Sequence, residues 1–425
     1  MDKKKILILG AGFGGLKTAF RLADGLKHNN LLEKYEVILI DRYEHHTFTP
    51  LLYETATTSK ETIDLVRLHS LVTHNVRNLI NGYPITCIED MIREIRPGSG
   101  EVVLEKSGAV KAEYIVLALG SEANYFDMPG LKEHSLTLKT FTDAIRIRDT
   151  VLDLTENKES GIRIVVGGAG PTGVELAAEL SNWRRRESEK LSSKLKVTLV
   201  EAQPTVLFGF LPSIIAAAEK RLAALGVEMK TNTKISELTK DTVKFENGEE
   251  MPVDLFIWTG GIKTPELLQH LPLKKEERGK IETTSSMDCL PETSDLSFGA
   301  KVYGLGDSVC FHDPITKKPV PAVAPAALAQ ASVVAYNILE DIRGKEGMGP
   351  IGHRIYIPVN YPYVIPVGGK FAIARIGPLV LGGFLGWLVK GVVELHYLFS
   401  IMPTWQALRV WARGLRVFST NDQLG

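Results

Sequence analysis

Two stretches of this chain place glycines where a phosphate-bearing ligand would need them. Gly10-Ala-Gly-Phe-Gly-Gly15 follows the apolar run Ile6-Leu-Ile-Leu9, and Gly168-Ala-Gly-Pro-Thr-Gly173 follows Ile164-Val-Val166. A pyrophosphate is held by the unpaired N–H groups at a helix N-terminus, and a side chain at the contact would keep it off. Gly12 and Gly170 fit that close approach, Gly10 and Gly168 the tight turn, and Gly15 and Gly173 the packing of helix against strand. Phe13 and Gly14 complete the first turn; Pro171 and Thr172 open the second helix, where a missing N–H costs nothing. Each turn leads to another apolar strand ending in an acid, Val37-Ile-Leu-Ile40-Asp41 and Val197-Thr-Leu-Val200-Glu201, 31 and 33 residues past the first motif glycine. A carboxylate there accepts from ribose hydroxyls and repels an added 2′-phosphate, so Glu201 predicts NADH over NADPH. The Arg184-Arg-Arg186 run reads chiefly as a solvated face, with accommodation of a phosphate as its alternative.

Positioning two such turns takes two sheets. The pattern of strand, glycine turn and helix occurs twice, which makes the fold class α/β with two dinucleotide-binding, Rossmann-like domains. Two later strands, Tyr114-Ile-Val-Leu-Ala-Leu119-Gly120 and Leu255-Phe-Ile-Trp258-Thr259-Gly260-Gly261, end on glycine at comparable distances past the two fingerprints. A third, Val302-Tyr-Gly-Leu-Gly306-Asp307, precedes an Ala-rich helix near 326–339. The first lobe is therefore expected to be completed after the second is inserted: 1–120 and 262–346 for one domain, 121–261 for the other, and 347–425 for a C-terminal region. Two nucleotide sites in one chain imply a bound flavin reduced by a diffusing nicotinamide, with Asp307 on the flavin's ribityl or phosphate region and Gly260 and Gly261 beside the NADH.

Composition sets the frame. The 425 residues allow two to four domains, and fifty Lys+Arg against fifty Asp+Glu leave no basic field for nucleic acid. The cysteines Cys87, Cys289 and Cys310 form no CxxC pair, which argues against a thiol–disulfide relay. The start, Met-Asp-Lys-Lys-Lys before Ile6–Leu9, is too short for a signal peptide and predicts a cytoplasmic protein. No uninterrupted apolar run reaches the ~18–20 residues of a bilayer span. His45 and His46 lack the spacing and acidic companions of a metal site, and no metal is expected.

Gly10-Ala-Gly-Phe-Gly-Gly15, Phe48-Thr-Pro-Leu-Leu-Tyr53, Gly168-Ala-Gly-Pro-Thr-Gly-Val-Glu175, Trp258-Thr-Gly-Gly261 and Gly304-Leu-Gly-Asp307 together resemble the type II NADH:quinone oxidoreductases. The resemblance covers nearly the whole chain; its Pro-Leu-Leu-Tyr-Glu and Gly-Pro-Thr-Gly-Val-Glu runs are more specific than the glycines alone. It implies a peripheral membrane flavoenzyme, on the cytoplasmic face, that passes electrons from NADH through FAD to a membrane quinone without pumping protons, and a homodimer. By the same resemblance Gly10, Gly12 to Gly15, Asp41, Arg42, Thr49, Gly306, Asp307 and Ala324 would contact FAD, and Glu175 would lie near the nicotinamide–flavin stack. One departure stands out. Where the family usually carries Ala-Gln-x-Ala-x-Gln, this chain has Ala324-Pro-Ala-Ala-Leu-Ala-Gln330. Pro325 and Ala329 offer no amide head, Gln330 falls one position late, and a quinone carbonyl must find another donor or water. A related FAD reductase with a different acceptor, or an NADH-responsive flavoprotein acting through partner binding, remains open at this stage.

The C-terminal region explains how such a chain would meet a membrane. Trp405, Leu408, Trp411, Leu415 and Phe418 recur at helical spacing on one broad apolar side, with Arg409, Arg413 and Arg416 away from it. Aromatic and basic residues together suit a helix lying in the membrane interface, and docking on the protein itself is the alternative. The Gly-rich run Leu379–Val389 adds apolar surface, and Lys390 is a candidate partner for Glu175.

Overall fold

Runs such as Ile6–Leu9, Val37–Ile40, Ile115–Leu117 and Ile164–Val166 are fully or almost fully buried, as strands covered on both faces by helices must be. The computed structural model describes residues 2–60, 62–158, 161–187, 195–277, 279–349 and 352–421. Side-chain placement in 184–187 lies outside that description, so the Arg184–Arg186 expectation does too. The chain divides into two compact units, Met1–His46 with His74–Glu122 and Ile262–Tyr361, and Thr47–Thr73 with Ala123–Gly261 and Pro362–Gly425.

In the first unit five strands lie in the order Lys301–Gly304, Tyr114–Leu117, Lys4–Leu9, Tyr35–Asp41, Ile85–Glu89. All are parallel, with Ile6 opposite both Val37 and Tyr114. The helix Phe13–His28 rises from the first glycine turn and packs on the long helix Ala324–Lys345. Gly25 marks the crossing: a Cβ there would stand 2.1 Å from Leu339.

The second unit repeats the plan. Ser135–Thr137, Leu255–Trp258, Ile162–Gly167, Leu195–Val200 and Glu228–Lys230 form a parallel five-stranded sheet, with the helix Pro171–Glu187 after its glycine turn. In each unit a three-stranded antiparallel meander precedes the strand that pairs beside the fingerprint strand: Ile92–Arg96, Glu101–Leu104 and Gly108–Lys111 in one, Ile235–Leu238, Thr242–Phe245 and Glu250–Pro252 in the other. The edge strand is what differs. The first sheet takes it from Lys301–Gly304, far downstream, whereas the second takes Ser135–Thr137 from upstream of its fingerprint. The C-terminal part of the second unit is a three-stranded antiparallel sheet, Tyr363–Pro366, Ala372–Ile376 and Leu379–Leu381, followed by the helices Phe384–Ile401 and Thr404–Asn421.

Candidate active site

The two glycine turns are built to one specification, and the roles of their glycines separate cleanly. A Cβ on Gly15 would stand 1.8 Å from the Gly10 carbonyl oxygen, and one on Gly173 would stand 1.9 Å from that of Gly168. Gly10 and Gly168 have φ of 108° and 95°, and a Cβ on either would run into the neighbouring strand end, at Ala118 and at Gly260. Gly14 is closed by Leu305. A methyl group added at Gly12 or Gly170 would meet nothing within 4 Å, so no atom of the described residues accounts for glycine there. Bare backbone facing open space at a helix start is the cradle that a pyrophosphate requires.

The strand-end acids brace these turns. Asp41 accepts from the Ala11 N–H at 2.6 Å and the Tyr43 N–H at 2.9 Å, and Glu201 accepts from Ala169 at 2.7 Å and Gln203 at 2.9 Å. Burial pushes the Asp41 carboxyl up against these bonds, which favour its charged form. Two oxygens with about four lone-pair sites leave capacity for ribose hydroxyls. The carbonyl of the alanine is tied as well: Ala11 to the His46 Nδ1 at 2.9 Å, Ala169 to the Leu207 N–H at 2.8 Å. His46 is buried, edge-on to Phe13, and its pKa is lowered to about 4 by burial, so it is a neutral spacer beneath the turn.

Other expected residues fall as follows. Asp307 accepts from the Ser121 hydroxyl at 3.0 Å, and Gly306, with φ of 68°, donates its N–H to the Gln330 side-chain oxygen at 2.8 Å. Gln330 is buried and also bonds Tyr356, whose hydroxyl lies 2.8 Å from that of Tyr361. Its amide thus holds the Gly306–Asp307 turn. Ala324 and Pro325 form the first turn of the helix Ala324–Lys345, and Ala329 is half-buried one residue before Gln330. Arg42 lies over the Tyr43 ring at 4.9 Å. Thr49 belongs to the second unit, in the turn Thr49–Leu51. Pro171 and Thr172 are exposed at the start of their helix, and the Gly261 carbonyl accepts from the Asn124 N–H at 3.0 Å. Cys289 and Cys310 are buried, and burial pushes the Cys289 thiol far up, away from nucleophilic chemistry.

The second unit also holds a buried group of charges that the sequence reveals only in part. Lys390, on the helix Phe384–Ile401, donates to both Glu54 carboxylate oxygens at 2.8 and 2.9 Å and stands 3.0 Å from Glu394, one turn along its own helix. Side-chain exposure is 11% for Lys390 and 4% for Glu54, so the ammonium has exchanged water for carboxylates. Glu175 is close enough for Lys390 and Glu54 to act on its charge, but the lysine's hydrogen bonds go to Glu54, with Glu394 as a second ion-pair partner. Burial raises Glu175 to about 8 and pushes Glu54 up as well, Lys390 pulling both down, while the surrounding carboxylates hold Lys390 firmly protonated. Glu54 and Glu394 are the residues that sequence reasoning misses. The usable signal was a lysine and a glutamate four apart in a mostly apolar helix, which cannot be buried without further partners.

The last two helices show a divided apolar surface rather than one broad side. Ala407 and Phe418 are buried, and the Trp411 indole donates to the Gly391 carbonyl at 2.8 Å, locking the final helix to the one before it. Trp405 (66% exposed), Leu408 and Leu415 are left outside, bordered by Arg409 and Arg416. Helical spacing explains the split, because positions 407, 411 and 418 fall on one line and 405, 408 and 415 on another. Phe384–Ile401 is long and apolar enough to cross a membrane by length and composition. The charged residues that interrupt its apolar run, Lys390 and Glu394, are paired with each other.

Residues 4–331 match the pyridine nucleotide-disulphide oxidoreductase family. Over 96% of its length the chain is 25% identical to the type II NADH:quinone oxidoreductase of Mycobacterium tuberculosis, covering 87% of that protein. It is 27% identical to the enzyme of that name from Staphylococcus epidermidis over 94% of its length (96% of that protein), and 26% identical to demethylphylloquinone reductase of Synechocystis sp. over 95% (93% of that protein). Its fold resembles the structure of NDH2 from Plasmodium falciparum in complex with NADH, with a TM-score of 0.80 at 17% identity, covering 98% of this chain and 99% of that one. Two glycine cradles, each braced by a strand-end acid and followed along nearly the full chain by these similarities, make this chain a member of the pyridine nucleotide-disulphide oxidoreductase family, of the kind represented by the type II NADH:quinone oxidoreductases.

Proposed function

We propose that this protein oxidises NADH through bound FAD and delivers the electrons to a quinone at a membrane surface. The observation that carries this reading is the pair of matched cradles, open at Gly12 and Gly170 and closed at every other motif glycine. The first fits FAD: bare backbone at a helix start receives the pyrophosphate, Asp41 receives ribose hydroxyls, and Asp307, oriented by Ser121, offers an acceptor farther along the same sheet end. The second fits NADH, with Glu201 in the place of Asp41 and disfavouring a 2′-phosphate. When bound, a flavin supplies two-electron chemistry that side chains lack.

The protein's own residues then bind, orient and handle protons. NADH carries two electrons and one proton as hydride; reducing a quinone to a quinol takes two electrons and two protons, so one proton comes from elsewhere. Glu175, with its pKa raised to about 8, holds a proton at neutral pH on the helix that opens at the second cradle. The exposed strip of Trp405, Leu408 and Leu415 with its arginine border, together with Leu385, Leu388, Val392 and Phe399 on the preceding helix, supports a peripheral seat on the bilayer, from which an apolar quinone would arrive. A membrane on the cytoplasmic face and a homodimer belong to the same reading.

The test is spectral. Added anaerobically to the flavin-loaded protein, NADH bleaches the flavin absorbance within a turnover time, NADPH does so far more slowly, and a short-tailed quinone restores it promptly. Flavin that stays oxidised with NADH sinks the reading; flavin that bleaches and stays bleached with every quinone keeps the NADH half and removes the acceptor.

A further inference from the structure

Glu54 is a deeply buried carboxylate that no step of the reaction above uses. Its side chain is 4% exposed and takes the Lys390 ammonium through both oxygens, at 2.8 and 2.9 Å, with Glu394 completing the lysine's shell at 3.0 Å. Two of the three N–H groups of this buried ammonium go to Glu54 and Glu394 stands beside it, so the lysine's charge is committed to those two carboxylates rather than to a direct ion pair with Glu175. The short helix Leu52–Thr55 that carries Glu54 packs against the helix Pro171–Glu187 that carries the half-buried Glu175, which brings a negative charge toward that carboxyl.

We propose that Glu54 is a positioning residue that keeps Glu175 protonated, by claiming the Lys390 ammonium and by presenting a like charge to Glu175. This rests on the reading of Glu175 as a proton-holding group of an NADH:quinone oxidoreductase. When Glu175 gives its proton to an acceptor oxygen it becomes a carboxylate beside Glu54, and it takes a proton back from water to restore the starting state. Of the two influences on Glu175 besides burial, Lys390 lowers its pKa and Glu54 raises it. Glu54 therefore acts twice in the same direction, directly and through the lysine.

Other titratable groups on the elements around Glu54 are held neutral or engaged elsewhere. Tyr53 and Tyr397 are pushed far up by burial and stay neutral. Glu179, one turn past Glu175, accepts from the Gly369 N–H at 3.0 Å and the Asn182 side chain at 3.0 Å. Arg148, on the helix packed against Leu52–Thr55, is buried and turned to Asp149 at 3.1 Å, and Asp149 also meets Lys60. His69, on Leu65–Val72, is edge-on to Phe141.

The test reads the proton on Glu175 directly, in the flavin-loaded protein without turnover. Difference infrared spectra are recorded against pH, and the protonated-carboxyl band that Glu175→Gln abolishes is assigned to Glu175. In the unsubstituted protein that band persists at neutral pH. In Glu54→Gln, which keeps the shape and an acceptor for Lys390, its midpoint falls by one pH unit or more; in Lys390→Met it rises. Glu394→Gln, which does not act on Glu175 directly, shifts it much less than Glu54→Gln. A midpoint unmoved in Glu54→Gln, with flavin content retained, overturns the proposal. A shifted midpoint in a protein that fails to reduce any quinone upholds the coupling and places the failure in the acceptor assignment.

Discussion

At the scale of single residues, the glycines of one motif do different jobs, and the structure turns that into a test. Gly12 and Gly15 are three apart, yet a methyl at Gly12 meets open space and a methyl at Gly15 collides with the Gly10 carbonyl. Gly12→Ala should fold normally and lose FAD, because the added group stands where the pyrophosphate approaches. Gly15→Ala should force strand and helix apart and destabilise the protein by about 1–3 kcal/mol, the range for overpacking a close contact. Flavin content together with thermal unfolding of the apoproteins separates the two. Equal unfolding temperatures for both variants would contradict the division of labour. Asp41 and Glu201 were legible because each follows an apolar strand at matched spacing; Glu54 was not, because nothing local marks a glutamate in Leu-Tyr-Glu-Thr as the anchor of a lysine 336 positions away.

At the scale of elements, the sequence carried the two strand–turn–helix units and the strands beside them, since parallel strands buried on both faces read as unbroken apolar runs. It carried less about the last two helices. Periodicity identifies which residues share a side but not what covers them, and here the apolar residues of Thr404–Asn421 serve two surfaces. Ala407, Trp411 and Phe418 are spent on the protein itself, and Trp405, Leu408 and Leu415 are not. Replacing the latter three by serine should release the protein from vesicles of anionic lipid while leaving flavin reduction by NADH and reoxidation by a short-tailed, water-soluble quinone within about twofold. Trp411→Phe removes the bond to Gly391 and should instead lower thermal stability by about 1 kcal/mol, with vesicle binding retained. Sedimentation with vesicles and a melting curve on each variant check both outcomes. Undiminished vesicle binding by the triple serine variant would assign the membrane seat to some other surface.

At the scale of the whole molecule, the second unit carries carboxylates displaced in opposite directions, and their signs set how stability responds to pH. Asp254 joins Lys158 at 2.5 Å and Arg163 at 3.0 Å, and these bonds hold its pKa down at about 2. A depressed acid stabilises the fold above its unfolded pKa, near 4, and that contribution is lost as pH falls toward 2. Burial raises Glu175 from 4.5 to about 8 and pushes Glu54 upward as well. Above 4.5 the folded protein therefore binds more protons than the unfolded chain, so their contribution is complete below pH 4.5 and is lost as pH rises toward 8. The melting temperature of the flavin-loaded protein should therefore be highest near pH 5 and decline toward pH 8. Glu54→Gln combined with Glu175→Gln should flatten the decline, since neither amide can ionise, while Asp254→Asn should lower the curve at neutral pH and flatten its acid side. Scanning melting temperature from pH 3 to pH 9 in the three proteins distinguishes the groups. An alkaline slope unchanged in the double variant would mean that the buried cluster stays fully ionised at neutral pH, and that the proton for the acceptor is held elsewhere.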